Sequence, residues 1–365
     1  MLAAETEDLA HWLRLTLIPG LGGEGQRRLL KAFGTPAAIF TAGLGAVRGV
    51  MGEALAERII CHAAGKEIDA ALEWVAQPGN HILTLADAAY PQALLSAADP
   101  PVLLYAKGHA ALLNRPAIAI VGSRNATKQG EANAAAFAQA LAAAGLTVVS
   151  GLAAGIDAAA HRGALGETAA TIAVVGTGCD RIYPARNESL AREIAEQGVI
   201  VSEFSLGTPP IANNFPRRNR IIAGLARGCL VVEAAQQSGS LITARLSAEA
   251  GREVFAIPGS IHSPQSRGCH ALIKQGAKLV ETARDILEEL RWEKIVNPAT
   301  VASMAPVPEA ETDPVLVALG RDPCDLDTLT GRTGLAVDDL LARLLPLELD
   351  GRIAQLPGGR YQRLN

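Results

Sequence analysis

The stretch NNFPRRNRIIAGLARG, residues 213–228, sets Arg217, Arg218 and Arg220 beside Phe215 and Asn219 at the start of an apolar run. Guanidinium groups at that density suit one kind of chemistry: they clamp phosphate or carboxylate oxygens through paired N–H donors. Pro216 fits the first position of a helix, where its missing N–H has no partner to lose and its φ is already helical. The three arginines are therefore predicted to lie in the first turn. A helix N-terminus carries partial positive charge, so each cation there costs roughly 0.3 to 1 kcal/mol unless an anion compensates. The helical period puts Ile221, Ile222 and Leu225 on one face and Arg217, Arg220, Gly224 and Arg227 on an adjacent one. Two readings stand at this point: a phosphate-binding face, or a solvated cluster paired with the chain's own carboxylates.

Other groups able to do chemistry follow short apolar runs. Gly122-Ser123-Arg124 comes after AIAIV, SGLAAGIDAAAH after LTVV, Gly176-Thr177-Gly178-Cys179-Asp180 after TIAVV, and AAQQSGSLITA after CLVVE. Such turns point backbone N–H groups and helix dipoles at one place, as an anion site requires. Ser238-Gly239-Ser240 adds two hydroxyls to its amides. Asp157 and His161 are four apart on a helix and could suggest a metal pair, but no third ligand has suitable spacing, and Asp157 is placed to cap that helix. Glu203 and Glu233 close two of the apolar runs; they would serve as catalytic carboxylates or as partners of nearby arginines and amides. The turn VVGTGCD does not complete the dinucleotide fingerprint, since Arg181 stands where its third glycine belongs, and the chain has no triphosphate loop. No cofactor and no metal are expected.

The elements that must hold these groups are legible in the pattern. After a helix near 66–77 come HILTL and VLLY. Then follow apolar strands at 117–121, 146–150, 171–175, 199–203, 229–233, 253–257 and 277–280, separated by helical segments. This alternation specifies an α/β, doubly wound, mostly parallel sheet covered on both faces. In such sheets ligands bind outside the carboxyl ends of the strands, so the glycine turns and the arginine helix share one rim. A basic rim with one aromatic, Phe215, matches an extended phosphate backbone with a base stacked beside it, and so single-stranded nucleic acid.

Residues 1–65 read as short glycine-punctuated helices of helix–hairpin–helix or SAM-like type, residues 66–292 as the sheet domain, and residues 293–312, with three prolines at 297–312, as a linker. Residues 313–365 read as three short helices and a hairpin turning at Pro357-Gly358-Gly359. That is the order of a winged helix, with Val337–Leu345 in the recognition position. Asp338 and Asp339 open that helix, which weighs against DNA there and leaves a protein contact at least as good a reading. The net charge of −4 conceals a positive middle: residues 115–292 hold 18 Lys and Arg against 15 Asp and Glu. With no membrane-length apolar run and an acidic N-terminus, a cytoplasmic protein without membrane contact is expected. Five cysteines without ligand spacing are expected to be reduced.

The segments IVGSRNAT, SGLAAGIDAAAHRGAL, TIAVVGTGCDRIYPARN, SEFSLGTPPIANNFPRRNRIIAGLA, VVEAAQQSGSLITARLSAEAGREVFAIPGS and GCHALIKQGAKLV occur in that order. Together they resemble the DNA processing protein A (Smf) family over about residues 66–292. The resemblance implies an extended Rossmann-like domain that forms a homodimer, flanked by SAM-like and winged-helix-like domains. It implies a non-catalytic protein that binds incoming single-stranded DNA in natural transformation, protects it and helps load the RecA recombinase. The DNA pocket it implies takes Gly122, Ser123 and Arg124, then Phe215, Arg217, Arg218, Asn219 and Arg220, and finally Ser238, Gly239 and Ser240. A competing reading is a nucleotide- or nucleoside-processing enzyme of the Rossmann class built on Glu203, Glu233, Asp157 and His161.

Overall fold

The computed structural model describes residues 3–292, 313–320 and 322–364; the stretch read as a linker, 293–312, lies outside them. Among the described residues one sheet holds β1 (Asn80–Thr84), β2 (Leu103–Gly108), β3 (Ala117–Val121), β4 (Thr147–Ser150), β5 (Thr171–Val174), β6 (Val199–Ser202), β7 (Gly228–Val231), β8 (Glu253–Ala256) and β9 (Lys278–Leu279). Their spatial order is β1-β2-β6-β5-β4-β3-β7-β8-β9. From β6 to β9 every neighbouring pair is parallel, with Ala119 facing both Val149 and Cys229 in register across β3. β2 runs antiparallel to both β1 and β6, so the sheet ends in an antiparallel edge.

The strand period of two divides the apolar residues between the faces. Along β3, Ala117, Ala119 and Val121 pack on one side with Ile221, Ile222 and Leu225. Ile118 and Ile120 pack on the other with Phe137, Leu141, Ile156 and Ile286. Strands buried on both faces read as nearly continuous apolar runs, and β3 to β7 are buried along their whole length, with Thr147, Ser150, Thr171 and Ser202 as polar residues at strand ends. The arginine helix, Asn214–Leu225, connects β6 to β7 across the first of these faces. It starts two residues before Pro216, because Ile211 and Ala212 already turn the chain and accept the Asn214 and Phe215 amides at 3.0 and 3.4 Å. Pro216 is thus the third helical residue, where an N–H would still have had no helical partner, and the arginines occupy the second turn, not the first.

Helices Ala3–Leu17, Gly23–Phe33, Pro36–Thr41, Gly43–Met51 and Glu53–Cys61 precede the sheet, and Leu15, Leu29, Ile39, Val47 and Ile59 form a core among them. Beyond residue 312, helices Pro314–Leu319, Leu326–Thr333 and Val337–Leu349 pack on β10 (Cys324–Asp325), β11 (Ile353–Leu356) and β12 (Arg360–Arg363), paired in the order β10-β12-β11. This is a winged helix. Its third helix runs past Leu345 to Leu349. Among the described residues no helix is long and apolar enough to cross a membrane.

Candidate nucleic-acid interface

β4 and β7 flank β3 on opposite sides, so the connections leaving β3 and β7 diverge and open a crevice at their carboxyl ends. Gly122-Ser123-Arg124 forms one lip. The Ser123 N–H donates to the Glu233 carbonyl at 2.7 Å, and Ser123 Oγ accepts the Asn125 N–H at 3.1 Å, which leaves the Arg124 side chain exposed above the turn. Arg124 makes no ion pair among the described residues. Its guanidinium carbon lies 5.6 Å from the centre of the Phe215 ring, within cation–π range. Phe215 rests on Gly176, where an added Cβ would come within 2.9 Å of the ring. The exposed Tyr183 leans on the same ring at 5.5 Å between centroids, 39° between planes. One open guanidinium and two aromatic rings therefore share the mouth of the crevice.

The other arginines are disposed differently from expectation. Arg218 is 4% exposed. Its Nη1 donates a short hydrogen bond to the Val174 carbonyl, and its guanidinium fills the space a Cβ on Gly151 would need. Burial pulls its pKa down to about 10, and Arg124 pushes the same way while Asp157 opposes. Arg218 thus lies beneath the rim and presents no donor to a strand lying on it. The spacing that buries it is in the sequence: 218, 221, 222 and 225 are i, i+3, i+4 and i+7 of one stripe, and the charge hid it. Arg220 is also withheld, closely paired with Glu203 and held by Asp99 Oδ2 at 2.9 Å and the Asp99 carbonyl at 2.6 Å. Arg217 reaches Glu203 Oε2 at 3.2 Å with half its side chain exposed, over the Phe204 ring at 5.6 Å. Of the two readings of the cluster, pairing with internal carboxylates describes Arg220 and part of Arg217; it does not describe Arg124.

The second lip is Ser238-Gly239-Ser240 at the start of helix Ser240–Glu249. The two serine hydroxyls bond each other at 2.7 Å, and Ser238 Oγ accepts the Ser240 N–H at 3.3 Å. Asn219 Nδ2 donates to the Gly239 carbonyl at 3.5 Å, which ties this turn to the arginine helix and brings the two segments together.

The acidic candidates are committed to the scaffold. Glu233 accepts from Thr127 N and Oγ1 at 2.9 and 2.6 Å, while Thr127 Oγ1 caps helix Lys128–Ala143 through the Gly130 N–H at 2.9 Å. Burial raises the Glu233 pKa, and the Thr127 bonds resist that rise. Asp157 accepts the Gly151 and Ala153 amides at 3.2 and 3.3 Å. It therefore ties the loop after β4 and does not cap its helix, whose N-cap is Gly155. His161 is wholly buried, with Nε2 accepting the Leu152 N–H at 3.3 Å and Nδ1 2.7 Å from Thr171 Oγ1. The Thr171 hydroxyl donates onward to the Val148 carbonyl at 2.8 Å, so it accepts from Nδ1–H and fixes the tautomer. Burial, aided by Arg218 and Arg162, brings the His161 pKa down to about 3. The ring is a neutral brace that helps hold Leu152 at its strained φ of +58°.

Tyr183 and Asp99 were not singled out in the sequence. Tyr183 lies in a proline-bearing loop with no periodic signal. Asp99 meets Arg220 across 121 residues of chain, beyond the reach of any local pattern.

The model of the DNA recombination-mediator protein A family matches residues 81–291, and that of the DprA winged helix domain matches residues 298–359. The chain belongs to the DNA processing protein A family. Protein Smf of Escherichia coli K12 is 44% identical over 310 residues, covering 82% of this chain and 81% of its own. DNA processing protein DprA of Streptococcus pneumoniae R6 is 48% identical over 209 residues, 57% of this chain and 74% of its own. A crystal structure of the Streptococcus pneumoniae protein superposes with TM-score 0.68 at 40% identity, covering 77% of this chain and 97% of that one. A structure of the family member from Helicobacter pylori, solved for its single-stranded DNA binding mode, superposes with TM-score 0.54 at 31% identity over 59% of this chain and 98% of that one.

Proposed function

We propose that this chain binds single-stranded DNA along the crevice between the carboxyl ends of β3 and β7, without catalysis. The observation that carries the reading is the exposed Arg124, unpaired by any carboxylate among the described residues, seated over Phe215 with Tyr183 against the same ring. A strand needs this pairing of a phosphate clamp with stacking surfaces that tolerate any base. A duplex keeps its base faces stacked inside and has no use for the rings. Gly122, Ser123, Asn219, Ser238, Gly239 and Ser240 line the path, and Arg217 is the second guanidinium able to reach out. Arg218 contributes its charge from below, and Arg220 orders the helix. The Helicobacter pylori structure supports the choice of single-stranded DNA.

Protection of incoming strands in natural transformation, and their delivery to a RecA recombinase in the cytoplasm, belong to the same reading; the family's recombination-mediator description supports the delivery to a recombinase. So does a homodimer through the Rossmann-like domain, which would set two such crevices on one particle.

Titration of labelled single-stranded and double-stranded DNA at two salt concentrations tests the reading. Single strands are expected to bind more tightly. Arg124→Ala is expected to weaken them several-fold and to reduce the slope of log affinity against log salt by about 0.7, the share of one phosphate contact on a single strand. Equal binding of duplex, or an Arg124→Ala protein with unchanged affinity and slope, would overturn it.

A further inference from the structure

The Glu203 carboxylate sits just past β6 under the arginine helix, its side chain 5% exposed. Oε2 accepts from Arg217 Nη2 and, more closely, from Arg220 Nη2, while Oε1 is buried without a partner. Asp99 is the second acid, its Oδ1 2.5 Å from Arg27 Nη2 and its Oδ2 2.9 Å from Arg220 Nε. Arg27 belongs to helix Gly23–Phe33 and also donates to the Pro100 carbonyl at 2.8 Å. Two cations on the lip of a polyanion site therefore end on anions supplied by the chain itself. Burying a carboxylate with one oxygen unsatisfied costs stability, so a purely structural purpose explains this arrangement poorly.

We propose that Glu203 is an internal stand-in for phosphate, holding Arg217 and Arg220 in reserve until a strand's phosphate displaces it from Arg217. The inference rests on the single-strand reading above. The two arginines differ in access: the Arg217 side chain is 50% exposed and Arg220 17%. Arg217 has one carboxylate contact to exchange. Arg220 has two, to Glu203 and Asp99, and a further bond to the Asp99 carbonyl, and Asp99 is anchored by Arg27 from the N-terminal helices. Exchange at Arg217 leaves Glu203 neutralised by Arg220, so no buried charge is stranded, and the phosphate takes a guanidinium already oriented over Phe204. The cost of displacing Glu203 makes this half of the rim bind more weakly than its arginine count suggests.

The test uses the full chain and labelled oligothymidine, with affinity measured across a salt series and folding checked by thermal melting. Glu203→Gln is expected to bind about tenfold more tightly, as a freed charge-assisted donor would, and to steepen the salt slope by about 0.7 for one more phosphate contact. Asp99→Asn is expected to move both in the same direction by less. Glu203→Asp keeps the charge but shortens the reach, so it is expected to fall between wild type and Glu203→Gln; a mere change in net charge would leave it at wild type. Glu188→Gln, which neutralises a surface acid paired with Arg192, is expected to stay within about twofold of wild type. If Glu203→Gln folds and its affinity and slope match those of Glu188→Gln, or fall below wild type, the inference is wrong while the DNA reading stands. If Glu203→Gln does not fold, wild-type behaviour in both Glu203→Asp and Asp99→Asn has the same meaning. Failure of wild-type protein to bind oligothymidine overturns the DNA reading itself.

Discussion

Two parts of the strand-end rim hold equal numbers of arginines and unequal numbers of counter-charges. At the β6 end, Arg217 and Arg220 face Glu203 and Asp99, four groups joined by contacts of 3.2 Å or less. At the β3–β4 end neither Arg124 nor Arg218 makes an ion pair among the described residues, and Asp157 is the carboxylate that acts on Arg218. Burial pushes the Asp157 carboxyl up towards its neutral form, against the pull of Arg218. Residue counts alone would spread positive charge evenly along the rim; the geometry concentrates it over β3 and β4. Position in a motif therefore says less about an arginine's work than what its guanidinium touches.

The largest expected effect concerns the end whose arginines make no ion pair among the described residues. Protonating His161 there would place a second buried cation beside Arg218. Its folded pKa, about 3, lies below the ordinary 6.5, so between those values the unfolded chain binds more protons than the folded one. The stability that neutral His161 represents is complete above pH 6.5 and is lost as pH falls towards 3, by at most about 1.4 kcal/mol per pH unit. Asp157, Glu203 and Glu233, all with raised pKa values, work in the opposite sense. The informative quantity is therefore the difference between wild type and His161→Gln in urea unfolding from pH 7 to 4. Wild type is expected to lose stability more steeply. Parallel curves would mean that the ring is not a suppressed cation.

Next in size is the aromatic contribution at the same end. Phe215→Ala removes the ring under Arg124 and the support for Tyr183, and stacking of one base is worth about 1 to 3 kcal/mol. A loss of roughly tenfold to a hundredfold in oligothymidine affinity, with little change in salt slope, would separate stacking from phosphate contact. A loss that appears entirely in the slope would make the ring only a prop for Arg124.

Much of the scaffold was legible in the sequence because its signal is local. The strands expected at 117–121, 171–175, 199–203 and 253–257 are observed at Ala117–Val121, Thr171–Val174, Val199–Ser202 and Glu253–Ala256, since strands at the centre of a covered sheet read as nearly continuous apolar runs. The glycine turns were legible for the same reason. The antiparallel direction of β2 was not, because pairing direction depends on where a distant strand ends. The disposition of the arginines was half legible. The i, i+3, i+4, i+7 stripe that buries Arg218 can be read once the charge is set aside, whereas the pairing of Arg220 needs Asp99 and Glu203, brought to it from other parts of the chain.

The smallest effect decides the comparison most directly. Arg218 is a desolvated cation with no ion pair among the described residues, bound to one carbonyl and with Nε unpartnered. Such a charge costs the fold several kcal/mol before any compensation. Arg218→Met keeps an unbranched side chain under Gly151 and removes the charge. Relief of the desolvation cost opposes the loss of the donor to Val174, worth about 1 to 3 kcal/mol. Stability is expected to stay within about 1 kcal/mol of wild type in urea unfolding. Single-strand affinity is expected to fall about threefold, or about 0.6 kcal/mol, with a smaller change in salt slope than Arg124→Ala because no direct phosphate contact is lost. An arginine retained for its field weakens binding when removed and leaves the fold intact. The reverse result, a protein several kcal/mol less stable that binds DNA as before, would make Arg218 a structural residue and leave Arg124 as the whole of the unpaired charge at that end.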